Sequence, residues 1–125
     1  MRSDDGSAVA EFAMVAGLLA LLFAAVLQLA LAQHVRSTAI DCATSGALVG
    51  ARLPVSPAAG AQRTRELLAA SLSPAYARDV SARVVDVDGV AEVEVVVRAP
   101  LPVVALAGPA RSLEVRGHAL AEEAP

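Results

Sequence analysis

The sequence predicts an α+β protein: one long N-terminal transmembrane and stem helix, a second short helix, and a small antiparallel sheet of about three strands. Three observations carry this expectation. The run from Phe12 to Ala32 is uncharged and free of proline, and as a helix it spans about 30 Å, the thickness of a bilayer's hydrocarbon core. Beyond it, Gln33 to Arg52 again lacks proline and places its apolar residues with a helical period. From Asp79 onward the period shortens to the alternation of strands, with Asp88-Gly89 between valine-rich runs.

Each element follows in order. Met1 to Gly6 is a polar leader carrying Arg2, Asp4 and Asp5. In the apolar run, Gln28 is the one strongly polar side chain and Gly17 the one weak helix former. Ala16, Ala20 and Ala24 recur at i, i+4, a smooth stripe suited to close helix approach in lipid. In the stem, Val35, Ala39, Cys42, Ala43, Ala47 and Ala51 make an apolar line, while His34, Arg36, Asp41, Thr44 and Ser45 fall mostly elsewhere. Val49-Gly50 and Pro54 supply a stop. Leu53 to Gly60 reads as a linker with two prolines. Ala61 to Leu72 reads as an amphipathic helix with Leu67, Leu68 and Leu72 on one side and Arg63 and Glu66 towards water, ended by Ser73-Pro74.

Val84 to Val87 and Val90 to Val97 read as a hairpin in which Val93, Val95 and Val97 share one face and Glu92 and Glu94 the other. A three-residue loop, Asp88 to Val90, sets Val85 opposite Val93; a two-residue loop sets it opposite Glu92. The first is preferred, because a carboxylate buried beside valine is costly. Ala99-Pro100-Leu101-Pro102 breaks the strand, Val103 to Leu106 is a short apolar stretch, and Gly108-Pro109 closes it. Arg111 to Leu120 alternates as a third strand, with Leu113 and Val115 towards the helices and Glu114 and Arg116 outward; Ala121 to Pro125 reads as a frayed acidic tail. The chain thus divides into a leader (1–6), a transmembrane and stem helix (7–53) and a small α+β domain (54–125), which the resemblance described below implies is extracytoplasmic.

Composition narrows the function. Of 125 residues, 56% are hydrophobic but 2% aromatic, and both phenylalanines, Phe12 and Phe23, lie in the apolar run. The outer domain must therefore be held by many small aliphatic contacts, which makes it marginal alone and suited to packing in an assembly. The net charge is −3 and the scattered basic residues are all arginine, which argues against a nucleic-acid partner. The single cysteine, Cys42, excludes an internal disulfide and reads as a small apolar residue on a helix face. His34 and His118 sit in different elements, and His118 lies on an exposed strand. Asp86, Asp88, Glu92 and Glu94 gather at the hairpin without EF-hand spacing and read as a solvated face. No serine has a nucleophile elbow and no glycine loop fits phosphate. The expectation is a non-enzyme without metal or cofactor.

The informative motif is Gly6-Ser7-Ala8-Val9-Ala10-Glu11-Phe12. It stands a carboxylate at the lip of a membrane-length helix, where an ionisable group is costly and reads as functional. Counted from Ser7, Glu11 is the fifth residue. This arrangement resembles the processing site of type IV pilin-like proteins, and the run Gly-Ser-Ala-Val-Ala-Glu-Phe-Ala most resembles the TadE-like family of minor pilins and pseudopilins of bacterial tight-adherence (type IVb, Flp-like) pili. The resemblance implies cleavage by a prepilin peptidase between Gly6 and Ser7 and methylation of the new amine. It further implies that Glu11, beside Phe12, pairs with the amine of a neighbouring subunit. It implies other pilin subunits, assembly-platform proteins and the membrane as partners, roles in assembly, adhesion or secretion, and a single-pass protein of the bacterial cytoplasmic membrane with its C-terminal domain outside. Asp4 and Asp5 offset Arg2, and Arg36 and Arg52 lie on the proposed outer side, so orientation rests on the resemblance rather than on the positive-inside bias.

Two other organisations compete. Ala30-Leu31-Ala32 before Gln33 satisfies a signal-peptidase rule and would release a secreted domain. Against it stand a leader that is not basic, an apolar run longer than a usual signal core, and a helical period that continues through the cut. The other is an unprocessed single-span protein whose outer domain binds a partner.

Overall fold

The computed structural model describes residues 2–100 and 112–123. It contains α1 (Arg2–Ala51), α2 (Pro57–Ser71), a single 3-10 turn (Pro74–Ala77), and strands β1 (Asp79–Val87), β2 (Val90–Pro100) and β3 (Ser112–Leu120). The strands form one antiparallel sheet in the order β1-β2-β3. The stem half of α1, together with α2, covers one face of that sheet. This is the α+β architecture expected from the sequence.

The 50 residues of α1 make a rod about 75 Å long. Alanine and leucine, the best apolar helix formers, dominate it and no proline interrupts it. Its surroundings change along its length. From Phe12 to Leu31 the large apolar side chains are exposed on every side, and nothing in the most apolar stretch is buried. From Val35 onward the line Val35, Ala39, Cys42, Ala43, Ala47 and Ala51 is buried, as its period required. His34, Arg36, Asp41 and Ser45 are exposed.

The expected linker is shorter than the sequence suggested. Pro57 to Gly60 belongs to α2. Ser56 is its N-cap, its hydroxyl accepting from the Ala59 N–H at 3.2 Å, and Pro57 sits in the first turn, where its missing N–H costs nothing. Leu68 is fully buried, Leu67 and Leu72 pack against the core, and Arg63 and Glu66 face water. Gly50, read as part of a stop, is instead a buried member of the last turn of α1.

A Cβ on Gly50 would lie 3.0 Å from the Ser56 carbonyl oxygen and 3.2 Å from the Gly60 Cα. A Cβ on Gly46 would lie 2.6 Å from the Gly60 carbonyl oxygen, and one on Gly60 would lie 2.8 Å from the Gly46 carbonyl oxygen. The helices touch backbone to backbone there, with Thr64 buried beside them and its hydroxyl donating to the Gly60 carbonyl at 2.8 Å.

The hairpin register corrects the sequence reading. The loop is the two-residue Asp88-Gly89, with φ of 52° and 83°, the left-handed pair that a tight hairpin of this twist needs. The Gly89 N–H donates to the Asp86 carboxylate at 2.8 Å. Val85 therefore pairs with Glu92 and Val84 with Val93. The expected three-residue loop would have set Arg83 opposite Val95, on the core face. The observed register puts Val80, Ala82 and Val84 beside Val97, Val95 and Val93 instead. Glu92 and Val85 share the outer face, where both are half-buried, so the feared burial of carboxylate against valine does not arise.

In β3, Leu113 and Val115 are buried towards the helices and Glu114 and Arg116 point outward, as expected. Gly117 lies against the α1 backbone at Ala43 and Thr44. The expected apolar stretch Val103 to Leu106 and its Gly108-Pro109 closure lie outside the described residues. The start of the tail is docked rather than frayed. The Ala121 N–H donates to the Ala91 carbonyl at 3.0 Å and the Glu122 N–H to the Ala51 carbonyl at 2.8 Å. The Glu122 carboxylate accepts from the Leu53 N–H at 3.1 Å. The tail thus satisfies polar groups where α1 ends.

Candidate functional site

The residues singled out at the front lie together on the free part of α1. Gly6, Ser7, Glu11 and Phe12 are all helical and exposed, and Phe12 is 74% exposed. A Cβ on Gly6 would meet nothing within 4 Å, so this glycine is not required by packing. Glycine inside a helix costs about 1 kcal/mol relative to alanine, which makes Gly6 the weak link of its own turn. Glu11 lies four residues after Ser7, hence about 6 Å along the axis on nearly the same face. Phe12, Ala16, Ala20 and Ala24 continue as one i, i+4 row of exposed residues. All of these side chains are exposed.

A second cluster, which sequence reasoning missed, occupies the outer face of the sheet. Glu94 was read as part of a solvated hairpin face; it is buried, 7% exposed, and held by three cationic or donor groups. Arg83 Nη2 and Arg116 Nη1 each lie 3.0 Å from its Oε1, and His118 Nε2 lies 2.9 Å from its Oε2. Arg116 also reaches Glu114 at 2.7 Å, and Glu114 accepts from Arg98 at 3.1 Å. The hydrogen bond from His118, with the help of both arginines, holds the Glu94 carboxyl below the usual range despite its burial. Arg98, then Arg116, lower Glu114 in the same way. The signal was present in the sequence: with the two-residue loop, Arg83 falls directly opposite Glu94, and His118 falls opposite it on β3.

The side chains of this cluster are engaged with one another. Asp86 is engaged in the hairpin turn and Glu94 in its ion pairs. Among the described residues no group of three His, Cys, Asp or Glu is placed to hold a metal. Cys42 is a buried free thiol in the core, and His34 and His118 sit on α1 and β3. The arrangement ties the three strands of the sheet together through Glu94.

The model of the family described as TadE-like protein matches residues 6–48. That stretch begins at Gly6, contains Glu11 and the apolar run, and ends within the packed stem. No curated protein and no solved structure matches the chain. The matched stretch includes the apolar run Phe12 to Ala32, which lies in the one described helix long and apolar enough to cross a membrane.

Proposed function

We propose that this chain, TadE-like over residues 6–48, is a minor pilin or pseudopilin subunit of a tight-adherence pilus, processed by a prepilin peptidase between Gly6 and Ser7. The observation that carries the reading is that the family match starts at the glycine and crosses the whole unpacked half of α1 without a break. It runs through Ala32-Gln33, where a secreted domain would be severed, and Val35, three residues beyond that point, already belongs to the core.

The chemistry follows from the placement. A peptidase needs an extended substrate, and Gly6 lowers the cost of unwinding the turn to be cut. Cleavage exposes an ammonium on Ser7. In a bundle of such helices Glu11 faces a dry environment and demands a counter-charge, which the amine of a neighbour supplies. The pairing is met when the neighbour is shifted by about 6 Å, the axial rise from Ser7 to Glu11. The pair sets axial register more than it adds net stability. The row Phe12, Ala16, Ala20, Ala24 then offers the close-packing face. The leader (1–6), helix (7–53) and outer domain (54–125) would act as address, anchor and exposed surface.

The test is the N-terminal residue of the protein from native membranes, read by intact mass and peptide mass spectrometry. A start at Ser7, with or without a methyl group, is expected. A start at Gln33 would assign the chain to a secreted domain, and an intact Met1 to an unprocessed anchor.

A further inference from the structure

The domain reaches back along α1 to within a few residues of the end of the apolar run, where Arg36 shares a groove with Glu114 and Arg116. Its sheet runs back along the stem, because Glu122 meets Ala51 at the far end of α1 and Gly117 meets Ala43. The beginning of β3 therefore lies towards the membrane end of the stem. A groove of about 310 Å³ is lined by Arg36 and Ile40 from α1 and by Glu114 and Arg116 from β3, which fixes the level. Arg36 lies four residues past Ala32, the end of the apolar run, hence about 6 Å beyond the hydrocarbon. The polar headgroup layer is about that thick on each side of a bilayer.

The same level continues across the sheet. Asp79 pairs with Arg98 and Arg98 with Glu114. A second groove of about 350 Å³ joins Arg98, Asp79 and Arg78 at the start of β1. Four arginines, Arg36, Arg78, Arg98 and Arg116, thus meet two carboxylates, Asp79 and Glu114, at one height. Arg98 and Arg116 are tied to Glu114. Arg36 and Arg78 are exposed and make no ion pair among the described residues.

We propose that Arg36 and Arg78 form a basic collar that docks the membrane-facing rim of the domain onto anionic phospholipid headgroups of the bilayer crossed by α1. A guanidinium offers paired donors that match a phosphodiester, and each basic residue near an anionic surface is worth about 1 kcal/mol. Docking fixes how the domain stands over the membrane before any neighbour is met. It rests on Phe12 to Ala32 spanning the bilayer and holds for either orientation.

The experiment uses the full chain in lipid nanodiscs, comparing phosphatidylcholine alone with phosphatidylcholine containing phosphatidylglycerol. Backbone hydrogen exchange is read over Ala75 to Asp79, with the β2 amides Val93 to Val97 as a folding control. Exchange at Ala75 to Asp79 is expected to slow about fivefold per arginine, the factor equivalent to about 1 kcal/mol, in anionic discs only. The slowing should shrink in high salt and vanish in the Arg36→Gln/Arg78→Gln double variant while the β2 amides are unchanged. Equal exchange in both lipids, with the helix amides of residues 12–32 protected in the disc, would overturn the collar and leave the spanning helix standing. Unprotected helix amides would remove the spanning helix and the collar together. Equal slowing by inorganic phosphate in phosphatidylcholine discs would show a free-anion site and overturn the lipid assignment.

Discussion

Along α1, the stretch Phe12 to Ala32 and the stretch Val35 to Ala51 share one continuous helical backbone and are both rich in alanine, yet they solve different problems. The first is apolar apart from Gln28, and its most apolar stretch is not buried among the described residues. The second buries a single line of small residues and presents polar groups elsewhere. A helix apolar all round suits a uniform apolar solvent, and a striped one suits a core on one side and water on the other. Glycine makes the same contrast. A Cβ on Gly17 would meet open space, whereas Gly46 is pressed against α2. Alanine and glycine content therefore does not distinguish anchor from stem; the charged and hydroxyl side chains of the stem, and their angular arrangement, do.

The strongest way to break this comparison is at the stem's closest contact. Gly46→Leu should destabilise the domain by more than about 3 kcal/mol, since the side chain must displace Thr64 and the Gly60 backbone. Gly17→Leu should leave stability within about 0.5 kcal/mol. Denaturant unfolding of the full chain in detergent reads both, and equal effects would show that the two halves are not differently packed. Next, Leu68→Ala empties a fully buried site between helix and sheet and should cost about 2–5 kcal/mol. A loss near zero would mean that α2 does not seal the core.

A smaller effect is expected on the outer face of the sheet. Glu94→Gln should cost about 1–2 kcal/mol, towards the lower range because Arg83, Arg116 and His118 remain partly solvated. Glu94 also carries a pH signature. Its folded carboxyl titrates below the ordinary glutamate value, which is about 4.3 when unfolded. Its contribution is therefore fully present above that value and is lost as pH falls through the lower folded one. The acid limb of a stability–pH curve below about pH 4.3 should flatten in Glu94→Gln. An unchanged limb would contradict the ion cluster.

The smallest change in fold stability, and the sharpest in assembly, belongs to the front. Glu11→Ala should insert in the membrane and fold normally but fail to enter the pilus, read by surface-pilus immunoblot against membrane fractions. Normal incorporation of that variant would end the registry role of Glu11.

Much of the fold was legible because periodicity is a local property. Val35, Ala39, Cys42, Ala43, Ala47 and Ala51 could be assigned to one buried face from spacing alone, as could Leu113 and Val115. The carboxylate after Gly6 was equally readable, since a charge at the edge of an apolar run is conspicuous whatever it packs against. What spacing could not supply was the identity of the opposing surface. Choosing between two hairpin loops required knowing that Val80, Ala82 and Val84 face the helices while Arg83 does not. Gly50 looked like part of a stop and Gly60 like the end of a linker until the two helices came within backbone contact. Glu94 became a buried anion only when Arg83 and His118 arrived from the strands on either side, and Glu122 became an anchor only when β3 carried it to the end of α1.

By itself, then, the sequence determined the order, periods and apolar faces of the elements, because those depend on neighbours within a few residues along the chain. The tertiary structure alone decided register, close approach and charge pairing, because each depends on which distant groups share a few ångströms of space, and there the energies of burial and electrostatics select one arrangement among several that local patterning allows.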